Sequence, residues 1–267
     1  MPIPADNPTD PPLLELKGVV LKAPRQKPAD AQPIDWRVAA GDYWVIGGLP
    51  AAGKSELLGI AAGLQQPAQG QQYLFGQELG QMTEEDLLRA RLRVGMVFAD
   101  GGRLFNHLTL AENVALPLCY HRNCPLAELW EPVQAILELT GLSSLAHVTP
   151  GAAGRGWRQR AGLARALALK PELLLLDNPL AGLDPRQTRW WLDLLASLFA
   201  GHPLMESKKM TLVVATGDLR PWAEQGRQFA LLHQNGLRPM GGPAELAMSA
   251  EPLLQDLLAP ESNFLRR

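Results

Sequence analysis

Lys54, Ser55 and Asp177 are the residues of this 267-residue chain whose types and settings point most directly to phosphate and metal chemistry. Lys54 and Ser55 close the run Gly48, Leu49, Pro50, Ala51, Ala52, Gly53, Lys54, Ser55, which has the phosphate-loop spacing G-x-x-x-x-G-K-[ST]. In such a loop, backbone N–H groups at a helix N-terminus surround an anionic phosphate. The ammonium of Lys54 would reach the terminal phosphates and the Ser55 hydroxyl would ligate magnesium. Two features make this loop less than ideal: Pro50 removes one N–H donor, and Ala51 and Ala52 stand where glycine would be more permissive. Asp177 follows the four leucines of 173–176. A carboxylate delivered by a buried strand is what a phosphate loop needs to complete a magnesium shell, so Ser55 and Asp177 are the expected metal ligands.

The plainer reading of the loop is a chance match in a turn rich in small residues, and its flanks argue against that. An apolar run, Tyr43, Trp44, Val45 and Ile46, enters the loop as a strand, and Leu57, Leu58, Ala61 and Leu64 mark a helical stripe on its far side. Elsewhere, strands are expected at 13–21, 34–38, 71–75, 94–98, 173–176 and 211–215. Helices are expected at 83–93, with Thr83 as N-cap, at 126–139, stopped by Gly141, at 159–169 and at 244–258. Asn235-Gly236 marks a hairpin over 229–240. Residues 101–150 break the strand–helix alternation and form a candidate helical subdomain. Residues 1–12, rich in Pro and Asp, read as a disordered tail, and the Pro-broken stretch KAPRQKPADAQP as a loop.

The length suits one large α/β domain or two small ones, and 46% hydrophobic residues supply a core. With 25 basic and 27 acidic residues and a formal charge of −2, nucleic acid is disfavoured as the main ligand. No apolar run has membrane-spanning length, and the first residues lack the pattern of a secretory leader, so a soluble intracellular chain is expected. Cys119 and Cys124, with His121 between them, are too few for a zinc site or a disulfide framework and read as reduced thiols.

Taken together, GLPAAGKS, the stretch RQRAGLARALALKPELLLLDNPLAGLDP, TLVVATGDL and the closing hairpin followed by GGPAEL resemble the nucleotide-binding subunit of ABC transporters over 13–258. The resemblance implies a P-loop NTPase (RecA-like) α/β core, an N-terminal antiparallel β-subdomain and an inserted helical subdomain at about 101–158, with 259–267 as a C-terminal tail. It also implies ATP and Mg as cofactors. The implied partners are a membrane permease and a second nucleotide-binding subunit, in a homodimer or a heterodimer. The implied location is cytoplasmic, peripheral on the inner face of the membrane through the permease. Within the family, VGMVFADGGRLFNHLTLAENVALPL is similar to a segment of the Mce-associated phospholipid transporters of the maintenance-of-lipid-asymmetry group, although other importers and lipoprotein releasers share ENVALPL.

The departures from the family pattern fall on its chemistry. The glutamine implied after VGMVF is Ala99, the glutamate implied after Asp177 is Asn178, and the histidine implied after TLVVAT is Gly217. The signature LSGGQ is replaced by Ala153, Gly154, Arg155, Gly156 and Trp157, and the adenine-stacking aromatic by Ala23. Losing a positioned general base costs about 10²–10⁴ in rate, so these changes imply a chain that binds nucleotide and hydrolyses it poorly. The expected function is therefore the ATP-binding subunit of an ABC transporter for lipids. Its alternatives are a non-catalytic regulatory or scaffolding subunit, or the ATP-binding subunit of another importer or lipoprotein-release system.

Overall fold

The computed structural model describes residues 11–22, 32–99, 103–234 and 236–259. Ala23, Asn235 and almost all of the expected terminal tails and Pro-broken loop lie outside these residues.

The chain pairs its strands into two sheets. In the smaller, all-antiparallel sheet, β2 (Ile34–Val38), β1 (Leu14–Val20), β4 (Gln69–Leu74) and β5 (Gln77–Glu78) lie in that order. β2 alternates strictly between buried Ile34, Trp36, Val38 and exposed Asp35, Arg37, as a strand covered on one face must. The larger sheet has the order β10 (Gly236–Gly241), β9 (Gln228–His233), β3 (Tyr43–Gly47), β8 (Thr211–Thr216), β7 (Leu173–Asp177), β6 (Val94–Val97). All its pairings are parallel except β9 with β10. β7 and β8 are buried at every position, which is why they read as unbroken apolar runs.

Side chains from alternate positions of the central strands enter two separate cores. Leu174, Leu176, Leu212 and Val214 pack with Trp191, Leu195 and Trp222 on one face; Leu173, Leu175, Val213 and Ala215 pack with Leu57, Leu58 and Ile60 on the other. The second face is covered by α1 (Lys54–Ala61), and α6 (Pro185–Ala200) contributes Trp191 and Leu195 to the first. A third core joins α3 (Leu110–Arg122), α4 (Trp130–Leu139) and α5 (Arg155–Leu167) and excludes the sheets. α3 opens on a capping box in which Thr109 and Glu112 satisfy each other's backbone N–H groups. That hydrogen bonding holds the Glu112 carboxyl below the usual range.

Several expected boundaries shift. α1 ends at Ala61, and Gly63 turns the chain with φ 68°, so Leu64 leaves the stripe and lies 49% exposed. β4 stops at Leu74 because Phe75 takes φ 52°. The 126–139 stripe divides into a short 3₁₀ turn, Leu126–Leu129, and α4. α2 (Glu84–Leu92) keeps its expected cap, the Thr83 hydroxyl accepting from the Asp86 N–H. α5 begins at Arg155, because extended Gly154 serves as its N-cap. The closing helix is two helices, α7 (Pro243–Met248) and α8 (Pro252–Leu258). Pro252 disfavours helical geometry at the residue before it, and Glu251 is extended there.

Leu174 is fully buried beneath α6, whereas Gly217 is exposed beyond the end of β8. Leu174→Ala should lower unfolding free energy by about 2–5 kcal/mol in chemical denaturation, the range for a truncated core leucine. Gly217→Ala should leave it nearly unchanged; equal midpoints for Leu174→Ala and the unaltered chain would contradict this placement of the leucine run.

Candidate nucleotide-binding site

The phosphate loop runs from β3 into α1, and its conformation shows which residue types it needs. A Cβ on Gly48 would lie 2.7 Å from the Leu232 carbonyl oxygen, so only glycine fits. Gly53 has φ 97°, a left-handed conformation that costs glycine little. Ala51 also turns left-handed, with φ 63°, and carries a Cβ there. The expectation that glycine would be more permissive at 51 is thus met in the backbone itself; Ala52 has no positive φ.

No side chain caps α1. By helix geometry the N–H groups of Lys54, Ser55 and Glu56 have no intrahelical acceptor, which leaves a positive end open to an anion. The Lys54 ammonium donates to the carbonyl oxygens of Gly48 at 2.6 Å and Leu49 at 2.8 Å, curling back over the loop. Burial pushes its pKa below the usual lysine value, and the neighbouring Asp177 carboxylate opposes that shift.

Ser55, Asp177 and Ala99 line one cavity of about 890 Å³ together with Lys22, Glu56, Phe98 and Arg103. Asp177 reaches it from the last position of β7 and is only 6% exposed. A hydroxyl and a carboxylate on one cavity beside an uncapped helix end suit magnesium, which takes few protein ligands and completes its shell with water and phosphate oxygens. Ser55 and Asp177 would hold the ion; when bound, it would neutralise phosphate charge.

The three residues that replace implied catalytic groups differ in setting. Ala99 forms part of the cavity wall. Gly217 is exposed directly after Thr216, whose carbonyl accepts from the Gly48 N–H at 3.2 Å. A Cβ on Gly217 would meet nothing nearer than the Gly48 carbonyl oxygen at 4.0 Å, so a side chain has room beside the loop. Asn178 has φ 49°, donates its N–H to Ala215 and accepts from the Ala181 N–H. Asn adopts that conformation more readily than glutamate, a local reason for its presence that spacing alone does not reveal.

Gly154, Arg155 and Gly156 do not line this cavity; they start α5. The Arg155 guanidinium lies against the chain's own Gly182, where an added Cβ would sit 3.1 Å from one of its nitrogens. At Gly156 the Cβ position is taken by the end of the Gln187 side chain from α6, which would have to move for any other residue. The Arg160 guanidinium lies 3.6 Å from the Trp190 ring centroid and 4.7 Å from that of Trp157, tying α5 to α6. Sequence periodicity did not foreshadow that clamp, nor the joining of Lys22, Glu56 and Arg103 to the cavity.

Comparison with known proteins places this geometry in a family. The ABC transporter family pattern matches residues 31–181. The chain belongs to the ABC transporter family. It contains that family's ATP-binding domain. This ABC domain is 37% identical over 184 residues to a methionine import ATP-binding protein, MetN 2, of Burkholderia mallei, covering 69% of the chain and 46% of the relative. It is 35% identical over 220 residues to MetN of Myxococcus xanthus, covering 80% and 66%. The alignment with the Burkholderia protein thus spans less than half of that relative's length. Among solved structures, the ATP-binding cassette MJ0796, captured as a dimer after hydrolysis with ADP and Pi, superposes with a TM-score of 0.74. It is 26% identical, over 85% of this chain and 98% of the other. The cbiO1 subunit of the Clostridium perfringens cbiONQ complex shares the fold, with a TM-score of 0.72 at 21% identity.

Ala51→Gly should raise unfolding free energy by about 0.5–1 kcal/mol, since relief of a left-handed alanine outweighs the added freedom of glycine in the unfolded chain. A denaturation midpoint that falls would show that the loop is not strained at 51.

Proposed function

We propose that this chain is the ATP-binding subunit of an ABC importer, that it binds Mg-ATP through Gly48 to Ser55 and Asp177, and that it hydrolyses ATP poorly. The observation that carries the reading is the cavity that joins Ser55 to Asp177 beside an uncapped helix end carrying Lys54. Importer is preferred to lipid transporter because the relatives described are methionine import proteins at 35–37% identity. The similarity of 94–118 to lipid transporters gains no support from those comparisons. Methionine or a comparable small solute is therefore the favoured class of cargo.

In the proposed site the loop N–H groups and the Lys54 ammonium bind the phosphates, while Ser55 and Asp177 orient the metal. Asn178 presents an amide that orients water and takes no proton at neutral pH. Ala99 and Gly217 add no polar side chain to hold the water or the terminal phosphate. The damaged signature at 154–156 would face a partner subunit's loop in a homodimer or a heterodimer.

A groove of about 750 Å³ between the parallel sheet and the helical core is the proposed seat of a permease segment. Its wall includes Met96, Phe98, Leu116 and Tyr120, with Phe105 at 47% and Tyr120 at 77% exposure. Asn113 fixes this wall: its Oδ1 accepts from the Phe105 N–H at 2.8 Å and its Nδ2 donates to the Phe105 carbonyl at 3.0 Å. Among the described residues no helix is long and apolar enough to cross a membrane. Attachment through the groove gives the chain its proposed place, peripheral on the cytoplasmic face of the membrane. A non-catalytic scaffolding role remains the second reading, favoured by Asn178 and Gly217.

Titration calorimetry should show weak Mg-ATP binding that Lys54→Ala abolishes; no binding at millimolar ATP would overturn the reading.

In a phosphate-release assay the chain alone should turn over near background. Asn178→Glu with Gly217→His should raise the rate only modestly, because glutamate is strained at φ 49° and Ala99 still leaves the water unheld. Turnover of roughly one per second or faster by the unaltered chain, abolished by Lys54→Ala, would show that other residues do the chemistry.

A further inference from the structure

The nucleotide cavity contains a cation that the phosphate-loop pattern does not supply. Arg103 lines it together with Ser55, Asp177 and Ala99. Its backbone is left-handed, φ 49°, an uncommon conformation for a residue with a Cβ. Two contacts hold it there. The guanidinium carbon sits 4.3 Å from the centroid of the Phe98 ring, itself part of the cavity wall. The Arg103 carbonyl accepts from the Arg165 guanidinium at 3.1 Å. Arg103 is otherwise exposed, so its charge need not be paired within the chain.

Ala99, on the same wall, carries only a methyl and brings no polar group of its own to the cavity. A planar guanidinium with a fixed fork of donors matches a phosphate oxygen pair better than an amide does. Asp177 and Glu56 supply negative charge on the same cavity, and Lys22 a second positive residue. Glu56 is engaged in accepting the Lys22 backbone N–H at 2.5 Å. A triphosphate with its metal would bring the metal to Asp177 and leave the outermost phosphate oxygens to be neutralised from the Arg103 side.

We propose that Arg103 is a phosphate-contacting residue that binds the terminal phosphate of ATP from the cavity wall it shares with Ala99, and so makes the site discriminate ATP from ADP. This rests on the nucleotide reading above. The consequence is specificity for the triphosphate in a site that lacks the side chains implied at 99 and 217.

The test is calorimetric titration of the full chain with Mg-ATP and with Mg-ADP, for the unaltered protein and for Arg103→Ala, Arg103→Lys and Arg103→Gln. Arg103→Ala should weaken ATP by about tenfold or more and leave ADP within about twofold, and Arg103→Gln should behave likewise. Arg103→Lys should keep most of the preference. ADP affinity and the thermal midpoint report folding in every variant, and if Arg103→Ala fails to fold, Arg103→Gln against Arg103→Lys gives the same comparison. Unchanged ATP affinity in Arg103→Ala and Arg103→Gln, with binding still lost in Lys54→Ala, would overturn the role of Arg103 and leave the nucleotide reading standing. Equal weakening of ATP and ADP would also overturn it. Absence of ATP binding by the unaltered chain would remove both.

Discussion

Parallel pairing of β3, β8 and β7 is the constraint on which the site depends. Gly47 sits opposite Thr216, and Ala215 opposite Asp177, so three strands end at one edge in register. Whatever follows those ends is brought together there: the phosphate loop after β3, Gly217 after β8 and Asn178 after β7. Open parallel sheets place ligands at the carboxyl ends of their strands for this reason. The register is stable because the central strands are buried on both faces, and a slip by one residue would exchange the side chains of two cores.

Charge at that edge would suit an anion. The Lys54 ammonium bonds two loop carbonyls, and the helix end behind it has no capping side chain. Partial burial disfavours that ammonium's charge while Asp177 favours it, so a phosphate would relieve the burial cost. The loop tolerates the left-handed Ala51, and backbone strain of this kind persists where surrounding structure over-determines the conformation. The changes at 99, 178 and 217 do not touch the loop proposed to bind phosphate, because none of them lies in it.

The segment 94–118, likened from sequence to a lipid-transporter subgroup, includes residues with packing to do. Leu110, Val114 and Leu118 are buried in the helical core, and Asn113 pins the preceding loop through four hydrogen bonds. Their identities are dictated by that packing and carry little information about cargo.

The sequence by itself determined the elements whose signals are local. The phosphate loop, the buried strands, the Thr83 cap and the stop at Gly141 all follow from spacing within about one helical turn or one strand. It also named Asp177 correctly as the end of a strand. Tertiary structure decided the rest. Phe98 and Arg103 share a cavity with Asp177 because β6 lies beside β7 at the sheet edge, and Lys22 joins them from beyond the end of β1 in the other sheet, where its N–H meets Glu56; no local pattern encodes either arrangement. Leu64 left its stripe, and the closing helix broke before Pro252, because single residues overrode a periodic pattern. Gly156 reads as a signature position in sequence, while in space it is the gap that Gln187 fills. Periodicity fixes which face of an element is apolar, but which faces meet depends on long-range packing, and that packing sets the chemistry available at the strand ends.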